Sequence, residues 1–238
     1  MSLIFRQFFD QDSCTYTYLL ADPLTADAVL IDSVREHTGG YYALLEELGL
    51  QLRWVLETHV HADHITAAAG LREMTGAQTV TSVSAGAECA DVKAAHGTVI
   101  AFGGEVLRVI ATPGHTPGCV SYRWRDRVFT GDALLIGGCG RTDFQGGDAG
   151  TLYDSITQRL FALPDETLVY PAHDYNGRRV SCIGEEKATN PRLTNLSRDD
   201  FIARMGSLNL PPPRAIETAL PANQACGNEI ELIDVQGV

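Results

Sequence analysis

In four places along this chain an apolar, strand-like run stops at a side chain able to hold a metal. Residues 52–57 lead into THVHADH, which carries His59, His61, Asp63 and His64. Residues 105–112 lead into TPGHTPGCV with His115, 127–130 into GDALL with Asp132, and 167–170 into PAHDY with His173. Five of the seven histidines occupy these strand ends, whereas histidines that merely filled a core would be scattered through the elements, as His37 and His96 are. Groups so far apart in sequence can share an ion only if their strands finish on one edge, which calls for a layered α/β architecture with its site beyond the strands' carboxyl ends.

Within THVHADH the two-residue step of an extended segment points His59 and His61 the same way, and Asp63 and His64 close the turn. Neutral imidazole nitrogen and carboxylate oxygen suit zinc, iron or manganese, so the ligand types leave the metal open. In TPGHTPGCV, Pro113, Gly114, Pro117 and Gly118 set a tight loop with His115 at its apex.

The rest of the chain reads as a mixed α/β protein. Strand patterns cover 3–9, 15–20, 28–32, 52–57, 78–83, 105–112, 119–124, 127–130 and 167–170. Helical patterns cover 41–48, 65–74, 85–94, 152–163 and 198–205, and Pro211–Pro213 must be extended. With 238 residues and no clean linker, the expectation is one domain over 1–238, with 181–238 as a helical extension packed on it.

A net charge of −12 with no basic stripe argues against a nucleic-acid partner. No apolar run is long enough to span a membrane. The opening MSLIFRQFFDQDSCTYTYLL alternates apolar and polar residues and carries acids, unlike a targeting peptide, so a cytoplasmic address is expected. The six cysteines show no CxxC pair and no small-scaffold density, and in a reducing compartment they are expected as free thiols. Cys139, between glycines near the site, reads as a packing residue.

THVHADH, TPGHTPG, TGDALL and PAHDY, in that order, resemble the metallo-β-lactamase superfamily over about residues 3–180, which implies an αββα four-layer sandwich. The finer motifs GDALLIGGCGRTDFQGGD, HDYNGRRVSCIGEEK, NPRLT, LNLPPP and PAN resemble the persulfide dioxygenases, also called sulfur dioxygenases, over nearly the whole chain. Cys182 departs from that pattern, where threonine is expected.

That resemblance implies one Fe(II) per chain, with His59, His115 and Asp132 as both ligands and catalytic groups. His61, Asp63, His64 and His173 would then surround the ligands and orient them. The implied reaction is oxidation of glutathione persulfide by O2 and water to sulfite and glutathione, in a homodimer. Arg141 and Tyr175, just beyond ligand-bearing strand ends, are the candidates for holding the substrate's glutathione part. The alternative is a glyoxalase II-type hydroxyacylglutathione thioesterase, in which the same residues would ligate two metals; TDFQ after GCGR favours the dioxygenase.

Overall fold

Strand β3 (Asp27–Ile31) shows why the chain layers as it does: Val29 and Ile31 enter one apolar cluster while Ala28 and Leu30 enter another. Side chains on a strand alternate between faces, so a strand apolar on both must be covered on both. The computed structural model describes residues 3–213 and 215–228. Strand β3 lies in the first of two six-stranded sheets, in the order β1 (Ile4–Phe9), β2 (Tyr16–Ala21), β3, β4 (Gln51–Leu56), β5 (Gln78–Ser82) and β6 (Val92–Ala94). The second sheet runs from β7 (Val99–Phe102) through β8 (Glu105–Ala111), β9 (Val120–Trp124), β10 (Arg127–Gly131) and β11 (Leu168–Pro171) to β12 (Ser181–Cys182).

Between the sheets lies a core of Tyr18, Leu20, Leu56, Phe102, Leu107, Tyr122, Trp124 and Phe129. On the outer face of the first sheet, α1 (Thr38–Leu48) and α2 (Ala68–Thr75) bury Tyr41, Leu45 and Leu71. On the outer face of the second, α3 (Ala149–Ser155), its π-helical continuation Ile156–Leu160, α4 (Ile183–Thr189) and α5 (Arg198–Gly206) bury Leu152, Ile156, Ile183 and Phe201. The αββα sandwich expected from the motifs is therefore the fold. Two buried tyrosines use their hydroxyls to latch strand ends: Tyr122 donates to the Glu57 carbonyl at 2.8 Å and Tyr18 to Pro171 at 2.5 Å.

Strands β3 to β6 pair in parallel, as do β10 and β11, so β4, β10 and β11 deliver their carboxyl ends to one edge. There the sheets are stitched together by backbone bonds, Val120 N to Thr58 O at 2.8 Å and Tyr16 N to Ala172 O at 2.7 Å. Gly131 sits at φ +56, and an added Cβ would stand 2.7 Å from the Thr58 side chain.

Several local expectations change. The helix expected over 85–94 is a run of turns ending in β6, because Gly86 takes φ +72 and Asp91 spends its carboxylate on the Thr79 amide and hydroxyl. Strand β7, unanticipated, follows the Gly97 turn and pairs with β8. A sixth helix, α6 (Ile216–Gln224), contains Pro221 and gave no periodic signal. The expectation of six free thiols is overturned: Cys89 and Cys226 form a disulfide, with Cα atoms 5.9 Å apart. The end of α6 folds back onto the 83–91 loop across a sequence separation of 137, which no spacing rule could have revealed.

Candidate active site

The chain between β4 and α2 makes a turn with no regular structure, so the ring orientations must be imposed from outside. Asp32, at the end of β3 with φ +53, does much of this. Its carboxylate accepts the Thr58 amide at 2.7 Å, the Thr58 hydroxyl at 2.9 Å and His61 Nε2 at 3.1 Å. The Thr58 oxygen in turn accepts His59 Nδ1 at 3.0 Å, a relay that leaves His59 Nε2 with its lone pair free. His115 is fixed likewise, Nδ1 donating to the Arg141 carbonyl at 2.6 Å.

One donor atom each from His59, His115 and Asp132 lie within 4.8 Å of one another, and all three residues are buried. Burial and the neighbouring His61 push the His59 pKa well below its ordinary value, keeping the ring neutral. Against burial, which opposes ionisation, His173, with His115 and His59, holds the Asp132 carboxyl well below the usual carboxylate range. Two imidazoles and an ionised carboxylate form a set that a divalent cation takes.

A second group, His61, Asp63, His64 and His173, also meets the 4.8 Å condition. Its members are occupied differently. His173 donates to Asp132 at 2.6 Å through Nδ1 and to Asp63 at 3.0 Å through Nε2. Burial disfavours its charge, yet these two carboxylates raise its pKa well above the ordinary value. Asp63 also accepts from His64 Nδ1 at 3.0 Å and Thr15 Oγ1 at 3.0 Å. His61 Nδ1 and His64 Nε2 are buried with no hydrogen-bond partner among the described residues. The two outlying histidines sit elsewhere: His37 pairs with Asp10, and His96 accepts the Ala111 amide.

His59, His115 and Asp132 form part of the wall of a cavity of about 610 Å³ that also includes Arg141, Phe144, Tyr175, Arg178 and Arg192. Arg141 reaches this wall with its donors already engaged. Nε and Nη2 bind Asp143, each at 2.7 Å, and Nη1 binds the Pro211 carbonyl at 2.6 Å. Tyr175 is exposed, its ring parallel to that of His173 at 6.3 Å. Arg192, half-buried, has no carboxylate partner among the described residues; its guanidinium touches only the Met205 sulfur, at 3.8 Å. Cys139 packs near the same sulfur, and burial pushes its thiol up to about 12.

Residues 15–173 match the family model described as the metallo-beta-lactamase superfamily. The chain is 51% identical over 228 residues to the protein named persulfide dioxygenase ETHE1, mitochondrial, from Homo sapiens, covering 94% of this chain and 89% of the human one. The crystal structure of ETHE1 from Myxococcus xanthus superposes with a TM-score of 0.93 at 57% identity, covering 94% of this chain and all of that one. The chain belongs to the persulfide dioxygenases of the metallo-β-lactamase superfamily. A hydroxyacylglutathione hydrolase from Anaeromyxobacter dehalogenans is more distant, 38% identical over 171 residues that cover 71% of this chain and 64% of that one.

Against this family framework, the structure adds residues to which the motif reading assigned no role. Asp32 closes an apolar strand just as Asp132 does, a signal that was present in AVLID. Arg192 was visible only as part of NPRLT. Asn223, from α6, bonds to the backbone of the histidine turn, and nothing in the sequence links those segments.

Proposed function

We propose that this chain is a mononuclear non-haem iron oxidoreductase that converts glutathione persulfide, O2 and water to glutathione and sulfite. The observation that carries the reading is the convergence of His59, His115 and Asp132 on one point in the wall of the large cavity, in a persulfide dioxygenase chain. These three residues fit the metal: each imidazole has its far nitrogen tied down and its near nitrogen free, and Asp132 keeps Oδ2 clear of His173. Bound there, Fe(II) would be held by His59, His115 and Asp132 and would supply the redox chemistry that joins oxygen to the terminal sulfur.

One metal is favoured over two by the persulfide dioxygenase relatives, and the His173 ring nitrogens contact the carboxylates of Asp132 and Asp63. In this reading His173 holds a proton between the two carboxylates and fixes the orientation of Asp132. Arg192 is the cation best placed for a glutathione carboxylate, since its charge is unmatched. Arg141 acts instead by holding the LNLPPP segment on the cavity rim, and Tyr175 closes the wall beside His173.

Residues 181–238, of which 214 and 229–238 lie outside the described residues, serve as an extension of a single domain, the protein works as a homodimer, and neither nucleic acid nor membrane takes part. These readings rest on the packing of α5, the family resemblance and the net charge of −12. Among the described residues no helix is long and apolar enough to cross a membrane.

Protein with one iron per chain should consume O2 only when glutathione and elemental sulfur together provide the persulfide. Asp132→Ala should lose iron and O2 uptake together. Two metals per chain, with oxygen-independent glutathione release from lactoylglutathione, would overturn the reading in favour of the thioesterase.

A further inference from the structure

The turn carrying His59, His61, Asp63 and His64 has few backbone partners of its own, and buried carbonyls without partners are costly. Two of them, His61 O and His64 O, are satisfied by a single side chain. Asn223 Nδ2 donates to His61 O at 2.9 Å and to His64 O at 2.8 Å, and Asn223 Oδ1 accepts the Thr66 amide at 2.9 Å. Both amide hydrogens and the oxygen are thus used on one turn, and the side chain is buried.

Little else holds Asn223 in place. Helix α6 buries only Ala219 and Ala222 besides Asn223, and alanines bury little apolar area. The fastener is three residues beyond Asn223, where Cys226 is bonded to Cys89. Gly227 then lies so close to Thr66 that an added Cβ would stand 3.1 Å from its methyl group. Asn223 and Cys226 also line a small void together with His59 and His61.

We propose that Asn223 is a positioning residue for the metal-holding turn and that the Cys89–Cys226 disulfide keeps it seated, so that reducing this bond loosens the turn and its grip on metal. The role in metal retention rests on the iron-dioxygenase reading, while the loosening of the turn does not. The switching step is ordinary thiol–disulfide exchange. A dithiol delivers two electrons and two protons to the S–S bond, leaving thiols at Cys89 and Cys226, and is itself oxidised to a disulfide.

The test compares oxidised protein, protein reduced with dithiothreitol and then desalted anaerobically, Cys89→Ser and Asn223→Ala. Hydrogen exchange is read on the metal-free proteins and iron release on the loaded ones. In metal-free protein the Thr66 amide should exchange at least about tenfold faster in Asn223→Ala, and several-fold faster after reduction and in Cys89→Ser. Reoxidation should restore slow exchange in the wild type and leave Cys89→Ser unchanged. Iron release should quicken in the same order. Unaltered exchange over 59–66 after reduction and in Cys89→Ser would overturn the fastening role, even if Asn223→Ala proved unable to fold. Free thiols at both Cys89 and Cys226 in oxidised protein would do the same. Because exchange is read without metal or substrate, its failure is distinguishable from a failure of the proposed reaction.

Discussion

Substituting alanine for Gly140 separates the cost of folding from the cost of function. Gly140 lies in the GCGR loop, where its amide donates to the Asp132 carbonyl at 2.7 Å. It is not among the glycines at positive φ, so alanine there carries no backbone strain and should contribute about 0.4–1 kcal/mol through a less flexible unfolded chain. The new methyl, however, would stand 2.9 Å from both Cγ and Nδ1 of His115, and closer still to the Asp132 carbonyl oxygen. Ordinary contact begins several tenths of an ångström further out, so two of the three candidate iron ligands must move. Overpacking of this kind costs about 1–3 kcal/mol. The net of about 0–2.6 kcal/mol converts, at roughly 2–4 °C per kcal/mol for a chain of this size, to a fall in Tm of at most about 10 °C. Function should suffer far more, because a misplacement approaching 1 Å at reacting groups can cost about a hundredfold. Gly140→Ala should therefore fold, with kcat/KM or iron occupancy reduced about 10- to 100-fold. Calorimetry, metal analysis and O2 uptake on one preparation decide the matter. Wild-type iron content and turnover in Gly140→Ala would refute the claim that this loop sets the ligand positions.

Reducing the disulfide should lower Tm measurably: closing a loop across a separation of 137 residues is worth up to about 5 kcal/mol in the chain-entropy account, and typical bridges give about 2–4. A melt unchanged by dithiothreitol would count against it. Phe201→Ala, which empties a fully buried site between α5 and α3, should cost about 3–5 kcal/mol in urea unfolding in one cooperative transition. Two separate transitions would show the extension to be a unit of its own. Asp148 caps α3 by accepting the Thr151 amide at 2.6 Å, and Asp148→Ala should cost about 1 kcal/mol at neutral pH. The bonds from Thr151 hold the Asp148 carboxyl below its ordinary value. The cap's contribution is therefore present above the unfolded carboxyl's pKa and lost as pH falls through the folded one. The stability gap between variant and wild type, read by thermal melts, should close on acidification.

The amino-acid order by itself determined the layered fold and the identity of the metal-type side chains. Strand runs apolar on both faces, such as Ala28–Ile31, have to be covered twice, and four strand runs lead into His59, His115, Asp132 and His173. Those are local properties, written in alternation and in residue type. The Asp32–Thr58–His59 relay was half legible, because AVLID ends on an acid but nothing in the string says which hydroxyl it meets. Arg141, a candidate for holding the substrate in sequence, is spent in the fold, on Asp143 and on the carbonyls of Leu210 and Pro211. Arg192, hidden in an ordinary NPRLT string, is a cavity-wall guanidinium with no carboxylate partner among the described residues. The division of the histidines was implied in sequence only by the resemblance, and the tertiary structure gives it a geometry, since His59 and His61, two residues apart with rings 4.0 Å from each other, fall into different donor groups. The join of Cys89 to Cys226 and of Asn223 to the histidine turn was decided only by tertiary structure. Periodicity and spacing report what a segment does along the chain. Which distant groups spend their hydrogen bonds and charges on one another depends on how the strand ends and the returning C-terminal helix are packed together.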